Sequence, residues 1–228
     1  MSEFKLDETL YVSVTPAGAY HAVSSTTEDA ARHTLLRLLM AHETPAISTD
    51  DADQWTAGTD PGETLELLYR LQSAGWITGI NEPAPAPSAN MDNDVPVLLQ
   101  ALTENGKALL ADSQGFYLAS QGFPHEAAEE LSALSADIAS LNARHHGLLQ
   151  NNLRLHSSAW GIVDAAGDSQ IGFWPLYIGN NSFVLILMGV PMFNQNAFRD
   201  LVWFLCRRYL SAESLDQEAE PLSDVIIM

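Results

Sequence analysis

The residues that could do chemistry in this chain are few and stand far apart. His145 and His146 are neighbours, and Cys206 is followed directly by Arg207 and Arg208. Neighbouring residues on a helix point about 100° apart, so the two imidazoles would not meet at one metal ion. A flanking arginine can lower the pKa of a thiol and make it nucleophilic, but the apolar residues before Cys206 favour a buried and inert thiol. We therefore predict no metal site and no catalytic cysteine.

Three further charged residues have types that occur in catalytic sites. Asp112 begins an Asp-Ser-Gln-Gly segment, where an aspartate more often accepts hydrogen bonds from its own backbone. Arg144 and Arg154 could each supply an arginine finger to a GTPase, although solvated arginines at a helix end are the ordinary alternative. The sequence contains no Gly-rich phosphate loop, no Gly-x-Ser-x-Gly elbow and no His-Glu-x-x-His motif. We therefore expect a protein that is not an enzyme and holds no cofactor.

Composition and charge exclude several other classes of protein. The chain has 228 residues, 46% of them hydrophobic, which suffices for one large domain or two small ones. Its formal net charge of −19, with only 10 basic residues, disfavours nucleic acid and anionic membranes as partners. No apolar run reaches the roughly 18 residues of a membrane helix, and the polar N-terminus has no signal-peptide features. With a single cysteine and no internal disulfide, we expect a cytoplasmic protein.

The strongest structural pattern lies in residues 106–144. Two short apolar runs, 108–111 and 116–119, flank the Asp-Ser-Gln-Gly segment and predict a β-hairpin. Pro124 follows as a good first-turn residue for a long helix. The apolar face of this helix comprises Ala127, Leu131, Leu134, Ile138, Leu141 and Leu148. A second face carries the small residues Ala128, Ser132, Ser135 and Ala139, which let another helix or a sheet approach closely.

Further elements are predicted on both sides of this pattern. Asp94 is expected to cap a short helix before the hairpin, and Asn194 to cap a final helix. Three strands are expected between the two longer helices, at 158–163, 171–178 and 183–188. The last of them is apolar throughout, which predicts a central strand covered on both faces.

The hairpin has the form Asp-Ser-x-Gly-x-x-x-Ala-Ser-x-Gly and precedes a helix rich in Glu, Ala, Leu and Ser. This pattern resembles the Roadblock family, which includes dynein light chains and bacterial GTPase regulators. The resemblance covers roughly residues 92–210. It implies an α+β domain of order αββαβββα, with helices packed on an antiparallel five-stranded sheet. It also implies a homodimer, formed through the long helix and a neighbouring strand, that binds a small Ras-like GTPase as scaffold or activating partner.

The resemblance and the two faces of the long helix together suggest candidate contact residues. The helix has an apolar face and a small-residue face, which is more than one side of a sheet requires. We expect the dimer interface to comprise Ala128, Leu131, Ser132, Ser135, Ala139 and Asn142. Arg144 and His145, at the end of the helix, are the candidate contacts with the GTPase.

Residues 1–81 predict a module of their own. The run Tyr11–Val14 alternates as a strand does, Pro16–Gly18 predicts a turn, and residues 20–23 could form the partner strand. Residues 25–28, Ser-Thr-Thr-Glu, have the capping-box pattern that opens a helix.

Two more helices and a strand complete this module. A short helix is expected to begin at Ser48 or Thr49, and Asp60 is expected to cap another helix that Gly75 ends. Three helices followed by a strand at 76–80 resemble a winged helix, a class that usually binds DNA.

The charge of this module argues against DNA as its partner. Residues 1–80 contain 12 acidic and 4 basic residues, a net charge of −8. The expected recognition helix, residues 61–75, offers Glu63 and Glu66 against a single Arg70. Because phosphate would repel such a helix, we do not expect it to read DNA.

The remaining segments are a linker and a tail. Residues 82–91 contain alternating Pro and Ala at 83–87, which predicts a semi-rigid polyproline II spacer between domain 1–81 and domain 92–210. Residues 211–228 carry five acidic residues and no basic ones and end in an apolar run. We expect the acidic part to be disordered. The apolar end either docks on a sheet edge or groove or is a frayed terminus.

The sequence as a whole predicts a dimeric, non-enzymatic adaptor for a small Ras-like GTPase. Two alternatives stay open. The protein could be a winged-helix transcriptional regulator with a Roadblock-like dimerisation domain, which would need a basic stripe on the folded module. It could also sense a ligand through that domain, which a deep apolar pocket would support.

Overall fold

The computed structural model describes residues 5–27, 29–56, 61–88, 90–211 and 215. These residues form, in chain order, β1 (Tyr11–Val14), α1 (Pro16–Val23), α2 (Ala30–Met40), α3 (Thr49–Thr56), α4 (Pro61–Ser73), β2 (Ile77–Ile80), α5 (Val95–Gln100), β3 (Ala108–Asp112), β4 (Tyr117–Gln121), α6 (His125–Arg144), a π-helix (Gly147–Asn152), β5 (Trp160–Val163), β6 (Ser169–Ile178), β7 (Asn181–Met188) and α7 (Asn196–Tyr209).

The main sheet has five strands, all paired antiparallel, in the order β4-β3-β7-β6-β5. The predicted hairpin is confirmed, with Leu110 opposite Ala119. β7 lies in the middle of the sheet, and its residues from Phe183 to Leu187 are all buried. The central position predicted for this apolar strand is therefore confirmed. From α5 onward the elements follow the order αββαβββα, as the sequence predicted.

Each face of the main sheet is covered by different helices, because side chains along a strand alternate between the two faces. α6 packs over β3, β4 and β7 on one face. Its buried contacts on that side are Leu109, Ala111, Phe173, Val184 and Ile186. α5 and α7 cover the other face. The larger core there includes Leu110, Leu176, Leu185, Leu187, Phe198 and Leu201.

The N-terminal part is built from helices and a two-stranded sheet. β1 pairs antiparallel with β2, with Val14 opposite Ile77. The predicted partner strand at 20–23 is wrong, because those residues belong to α1. Thr15 caps this helix by accepting a hydrogen bond from the Gly18 backbone N–H, at 3.1 Å. Four helices separate β1 from β2, where the sequence predicted three. The winged-helix interpretation therefore stays a prediction.

Two helix caps differ from those predicted. α2 begins at Ala30, where the Asp29 carboxylate accepts a hydrogen bond from the Arg32 backbone N–H at 2.8 Å. Asp29 is therefore the N-cap of α2, and the helix does not begin with the capping box expected at 25–28. α7 has Gln195 as its N-cap in place of Asn194, and no side chain bonds to the cap.

The predicted starts of α5 and α4 and the predicted end of the long helix α6 compare with the structure as follows. Asp94 does precede α5, but its side chain makes no hydrogen bond to that helix. Its Oδ2 instead accepts from the Asn90 backbone N–H at 2.6 Å. Asp60, predicted to cap α4, lies outside the described residues. The long helix ends at Arg144, so Leu148 belongs to the π-helix and not to the predicted apolar face.

The N-terminal helices pack directly on the main-sheet part of the chain. α1 and α2 both contact α7, and their buried residues join one continuous core with it. The Trp203 indole N–H donates to the Ala41 carbonyl at 2.9 Å. The Tyr20 ring stacks on Phe193, with ring centroids 5.5 Å apart. These contacts would hold the two parts of the chain together as one body.

The proline-rich segment is bonded to the N-terminal part. The Ala86 N–H donates to the His42 carbonyl at 2.8 Å, and the Thr44 N–H to the Ala84 carbonyl at 2.9 Å. The boundaries placed at 82–91 stay a prediction, as does the tail at 211–228, of which the structure describes only residues 211 and 215. Within the described part of the chain, no helix is both long and apolar enough to cross a membrane.

Candidate functional site

The β3–β4 turn is held by Asp112, which bonds the backbone as the sequence predicted. Its Oδ1 accepts from the backbone N–H groups of Gln114 at 2.9 Å and of Phe116 at 3.0 Å. Gly115 follows with a φ of +87°, a conformation that favours glycine. An ideal Cβ placed on Gly115 would lie 3.3 Å from the Ala136 Cβ of α6. The turn therefore lies against the helix, and Asp112 has a structural role.

The small-residue face of α6 packs on the main sheet of the same chain. Ala128, Ser132 and Ser135 are each 1% exposed or less. The two serine hydroxyls bond within the helix, Ser132 Oγ donating to the Ala128 carbonyl and Ser135 Oγ to the Ser132 carbonyl. These three residues of the predicted dimer interface thus lie between the helix and the sheet of the same chain. The interface itself stays a prediction.

The other three predicted interface residues keep some accessible surface. Leu131 is half-buried at the margin of the small cluster under α6, and Ala139 is exposed. Asn142 is half-buried and accepts a hydrogen bond from the Trp160 indole N–H at 3.1 Å. That bond joins the C-terminal part of α6 to the first residue of β5.

Exposed apolar side chains concentrate between residues 134 and 163. Leu134 is 43% exposed on α6, and Ile162 and Val163 are 61% and 58% exposed on β5. The connecting segment adds Leu148, Leu153 and Leu155. We call these six residues the α6–β5 apolar set. Sequence reasoning assigned Leu134 and Leu148 to an apolar face and predicted the strand at 158–163, but it did not predict that this strand lies at the edge of the sheet, because an edge position is decided only when the strands pair.

The candidate GTPase contacts lie at the C-terminal end of α6. Arg144 is the last residue of the helix and His145 is its C-cap, and both side chains are exposed. Arg154 lies beyond the π-helix with a φ of +54°, and its side chain is exposed too. The structure therefore leaves all three side chains accessible to a partner.

A cavity of about 310 Å³ opens beside the small cluster under α6. The C-terminal half of the helix forms one wall, with Ala136, Ile138 and Ala139. The sheet forms the opposite wall, with alternate residues of β6 and their neighbour on β7: Phe173, Pro175, Tyr177 and Val184. The loop between α1 and α2, residues 24–27, closes one side. No sequence pattern indicated this cavity, since its walls come from distant parts of the chain.

Cys206 is not a reactive thiol. It is fully buried in α7, and burial raises the pKa of its thiol to about 12, although the charge of Arg32 acts in the opposite direction. At neutral pH a thiol with this pKa is protonated and a poor nucleophile. Across the residues that the structure describes, no group of three or more His, Cys, Asp or Glu side chains is placed to hold a metal ion.

The similarity of this chain to known proteins is weak. No protein-family profile matches the sequence, and no curated protein matches it either. Among solved structures, the chain is similar to MglB of Myxococcus xanthus, with 12% identity and a TM-score of 0.28. The similarity covers 57% of this chain and 92% of that one. A TM-score this low assigns no function.

Proposed function

We propose that the protein is a homodimeric adaptor that binds a small Ras-like GTPase in the cytoplasm and catalyses no reaction itself. The observation that carries the proposal is the edge strand β5 beside α6, whose far side pairs with no strand among the described residues, in a domain of order αββαβββα. This is the order and the pair of elements that the Roadblock resemblance implies for dimerisation.

The exposed edge of β5 supports a second copy of the chain as its partner. Among the described residues, the far side of β5 pairs with no strand. Its sequence, Trp-Gly-Ile-Val, contains none of the charged residues or prolines that usually protect an edge. Two such edges paired antiparallel about a twofold axis would join two sheets into one and make a self-complementary interface.

The energy of such an interface would come from the α6–β5 apolar set. Ile162 and Val163 are more than half exposed in the single chain. Fully burying a large aliphatic side chain stabilises by about 1.5–3 kcal/mol, so a few of them suffice to favour association. Leu131, Ala139 and Asn142 would lie at the margin of this interface. Ala128, Ser132 and Ser135 would support it from beneath the helix.

Dimerisation is tested by placing charge on the edge strand. We expect wild-type protein to be a dimer in sedimentation velocity at micromolar concentration, and the double variant Ile162→Asp, Val163→Asp to be a monomer with unchanged circular dichroism. Val97→Asp is the matched control, since Val97 is 65% exposed on α5, away from β5. It should remain dimeric. A monomeric wild type, or a dimer that the double variant leaves intact, would contradict the proposal.

The GTPase contact is assigned to Arg144 and His145 at the end of α6. Arg144 is exposed and, within the described chain, forms no ion pair that would have to be broken. An arginine in this position suits a phosphate or an acidic switch loop of a partner. The charge of the chain as a whole is strongly negative, so this basic end of α6 is a local exception.

Binding of a GTPase is tested by calorimetry with the Ras-like GTPases of the source organism, loaded with GDP or a GTP analogue. We expect one of them to bind and Arg144→Ala to weaken binding about tenfold, as truncation of a central interface arginine does. Arg70→Ala, on the exposed face of α4, is the control and should have no effect. If hydrolysis slows in the Arg144 variant, the protein activates the GTPase and is more than a scaffold. No binding by any of these GTPases would refute the proposal.

A second candidate is a winged-helix regulator whose Roadblock-like domain senses a ligand. The cavity beside α6 favours the sensing part of this candidate. The exposed surface of α4 does not favour DNA binding, since it presents Glu63 and Glu66 with a single Arg70. We expect no duplex to bind with nanomolar, salt-sensitive affinity in a gel shift at physiological salt.

A further inference from the structure

The cavity beside α6 lies where two parts of the chain meet. The loop 24–27 belongs to the N-terminal helices, whereas the helix and sheet walls belong to the main-sheet part. Small-molecule sites occur preferentially at such junctions and have volumes from about 300 Å³ upward. At about 310 Å³ the cavity lies at the lower end of that range.

The cavity exists because α6 covers only part of the sheet. The helix packs over β3, β4 and β7, and on β6 it covers Phe173 but leaves Pro175 and Tyr177 only half-buried. Ala139 continues the small-residue face of the helix, yet it is exposed where Ser132 and Ser135 are buried. Space that a larger side chain would fill therefore stays open between helix and sheet.

The two main walls of the cavity face each other, and each combines apolar side chains with polar ones such as Asn142 on the helix and Ser182 on the sheet. Ala136, Ile138 and Ala139 form the helix wall, and Phe173 and Val184 belong to the opposite wall. A slot with apolar side chains on both sides and polar groups among them suits a flat ring system that carries polar atoms, because the ring buries both of its faces at once.

The rim of the cavity is polar but carries no permanent positive charge. His146, Gln150 and His156 line it, and within the described chain their side chains have no hydrogen-bond partner. None of the described lining residues is Lys or Arg. An anionic ligand would therefore lose its hydration without gaining an ion pair.

We propose that this cavity binds an uncharged, planar heteroaromatic molecule. The ring lies between α6 and the sheet, and its polar edge bonds the side chains of the rim. Because loop 24–27 touches the same cavity, the bound molecule contacts the N-terminal helices and the main sheet together. Arg144 is not among the lining residues, whereas Trp160 of β5 and Ala139 are, so the site adjoins the proposed dimer interface.

The proposal is tested by calorimetry on the full-length protein, with adenosine and adenosine monophosphate as probes. We expect adenosine to bind with a dissociation constant on the order of 100 μM, the value typical of a ligand of this size. Adenosine monophosphate carries the same ring and should bind at least about tenfold more weakly, because its phosphate finds no cation.

Filling the cavity provides the matched variants. Ala139→Trp should abolish adenosine binding, and Ser140→Trp, on the same helix but outside the lining, should leave it unchanged. Circular dichroism checks that both variants fold. If Ala139→Trp does not fold, His156→Ala at the exposed rim should weaken binding instead. The proposal is overturned if neither probe binds, if the monophosphate binds as tightly as adenosine, or if the filled or rim variant binds adenosine as the wild type does.

Discussion

The contact between Trp203 and α2 predicts that the N-terminal helices and the main sheet unfold together. Trp203 lies on α7 and is 4% exposed. Its indole N–H donates to the carbonyl of Ala41, the C-cap residue of α2, at 2.9 Å. The change Trp203→Phe keeps an aromatic ring at this junction but removes the donor.

The cost of this change follows from the two things it removes. The Ala41 carbonyl loses its partner in a half-buried position, which costs about 1–3 kcal/mol. The smaller ring leaves part of the site unfilled, which adds roughly 1 kcal/mol. We therefore expect the free energy of unfolding to fall by about 2–4 kcal/mol.

Two measurements test the size of this loss of stability and whether it affects both the N-terminal helices and the main sheet. Urea denaturation followed by circular dichroism should show the midpoint lowered by roughly 1–2 M. Hydrogen exchange followed by mass spectrometry reports local stability. The slowest amides of α2 and of β7 should lose the same free energy of protection, because both belong to the core that Trp203 joins.

The same substitution elsewhere is the control. Trp160 donates to the Asn142 side chain in a less buried place, where water can replace the bond. Trp160→Phe should therefore cost no more than about 1 kcal/mol. If Trp203→Phe lowers protection in α2 but leaves β7 unchanged, the two parts fold independently, as a spacer at 82–91 would allow, and the reasoning is refuted.

Three further predictions concern single residues. Gly115→Ala should lower the thermal midpoint, costing about 1–2 kcal/mol, because φ is +87° and α6 lies 3.3 Å from the new Cβ; Gly147→Ala, with nothing within 4 Å, should not. Asp112→Ala should destabilise the hairpin by about 1 kcal/mol in urea denaturation, since two backbone N–H groups lose their acceptor in a solvent-exposed turn where water can partly replace it. Cys206 should resist alkylation at pH 8 until urea unfolds the chain. In the folded protein the pKa of the Cys206 thiol is about 12, above the value of 9.0 for an exposed thiol. Because the unfolded chain therefore loses this proton at lower pH than the folded chain, the free energy of unfolding should fall as pH rises from about 9 toward 12.

Much of the local structure could be read from the sequence, because turns and strands depend on neighbouring residues. The Asp112 turn was predicted from one aspartate and one glycine, and its backbone hydrogen bonds confirm that prediction. The central position of β7 was predicted from its unbroken apolar run. Where two local patterns competed, the prediction failed. Residues 20–23 read equally well as a strand, but Thr15 and Pro16 begin a helix that includes them.

The sequence could not decide which face of α6 meets the sheet. It showed one apolar and one small-residue face, and either could in principle pack inward. In the structure the small face lies against the sheet, where the Gly115 turn approaches Ala136 closely. Leu134 is consequently left in solvent.

Tertiary structure alone also decided the edge strand and the cavity. β5 reads as an ordinary strand, and only the order of pairing leaves its far side free. The cavity depends on how far α6 extends over β6 and on a loop more than 100 residues earlier in the chain. The sequence by itself determined the elements and their order from α5 onward, and the absence of a recognisable catalytic motif. The surfaces left for partners and ligands were set by long-range packing, because no local pattern records which faces meet.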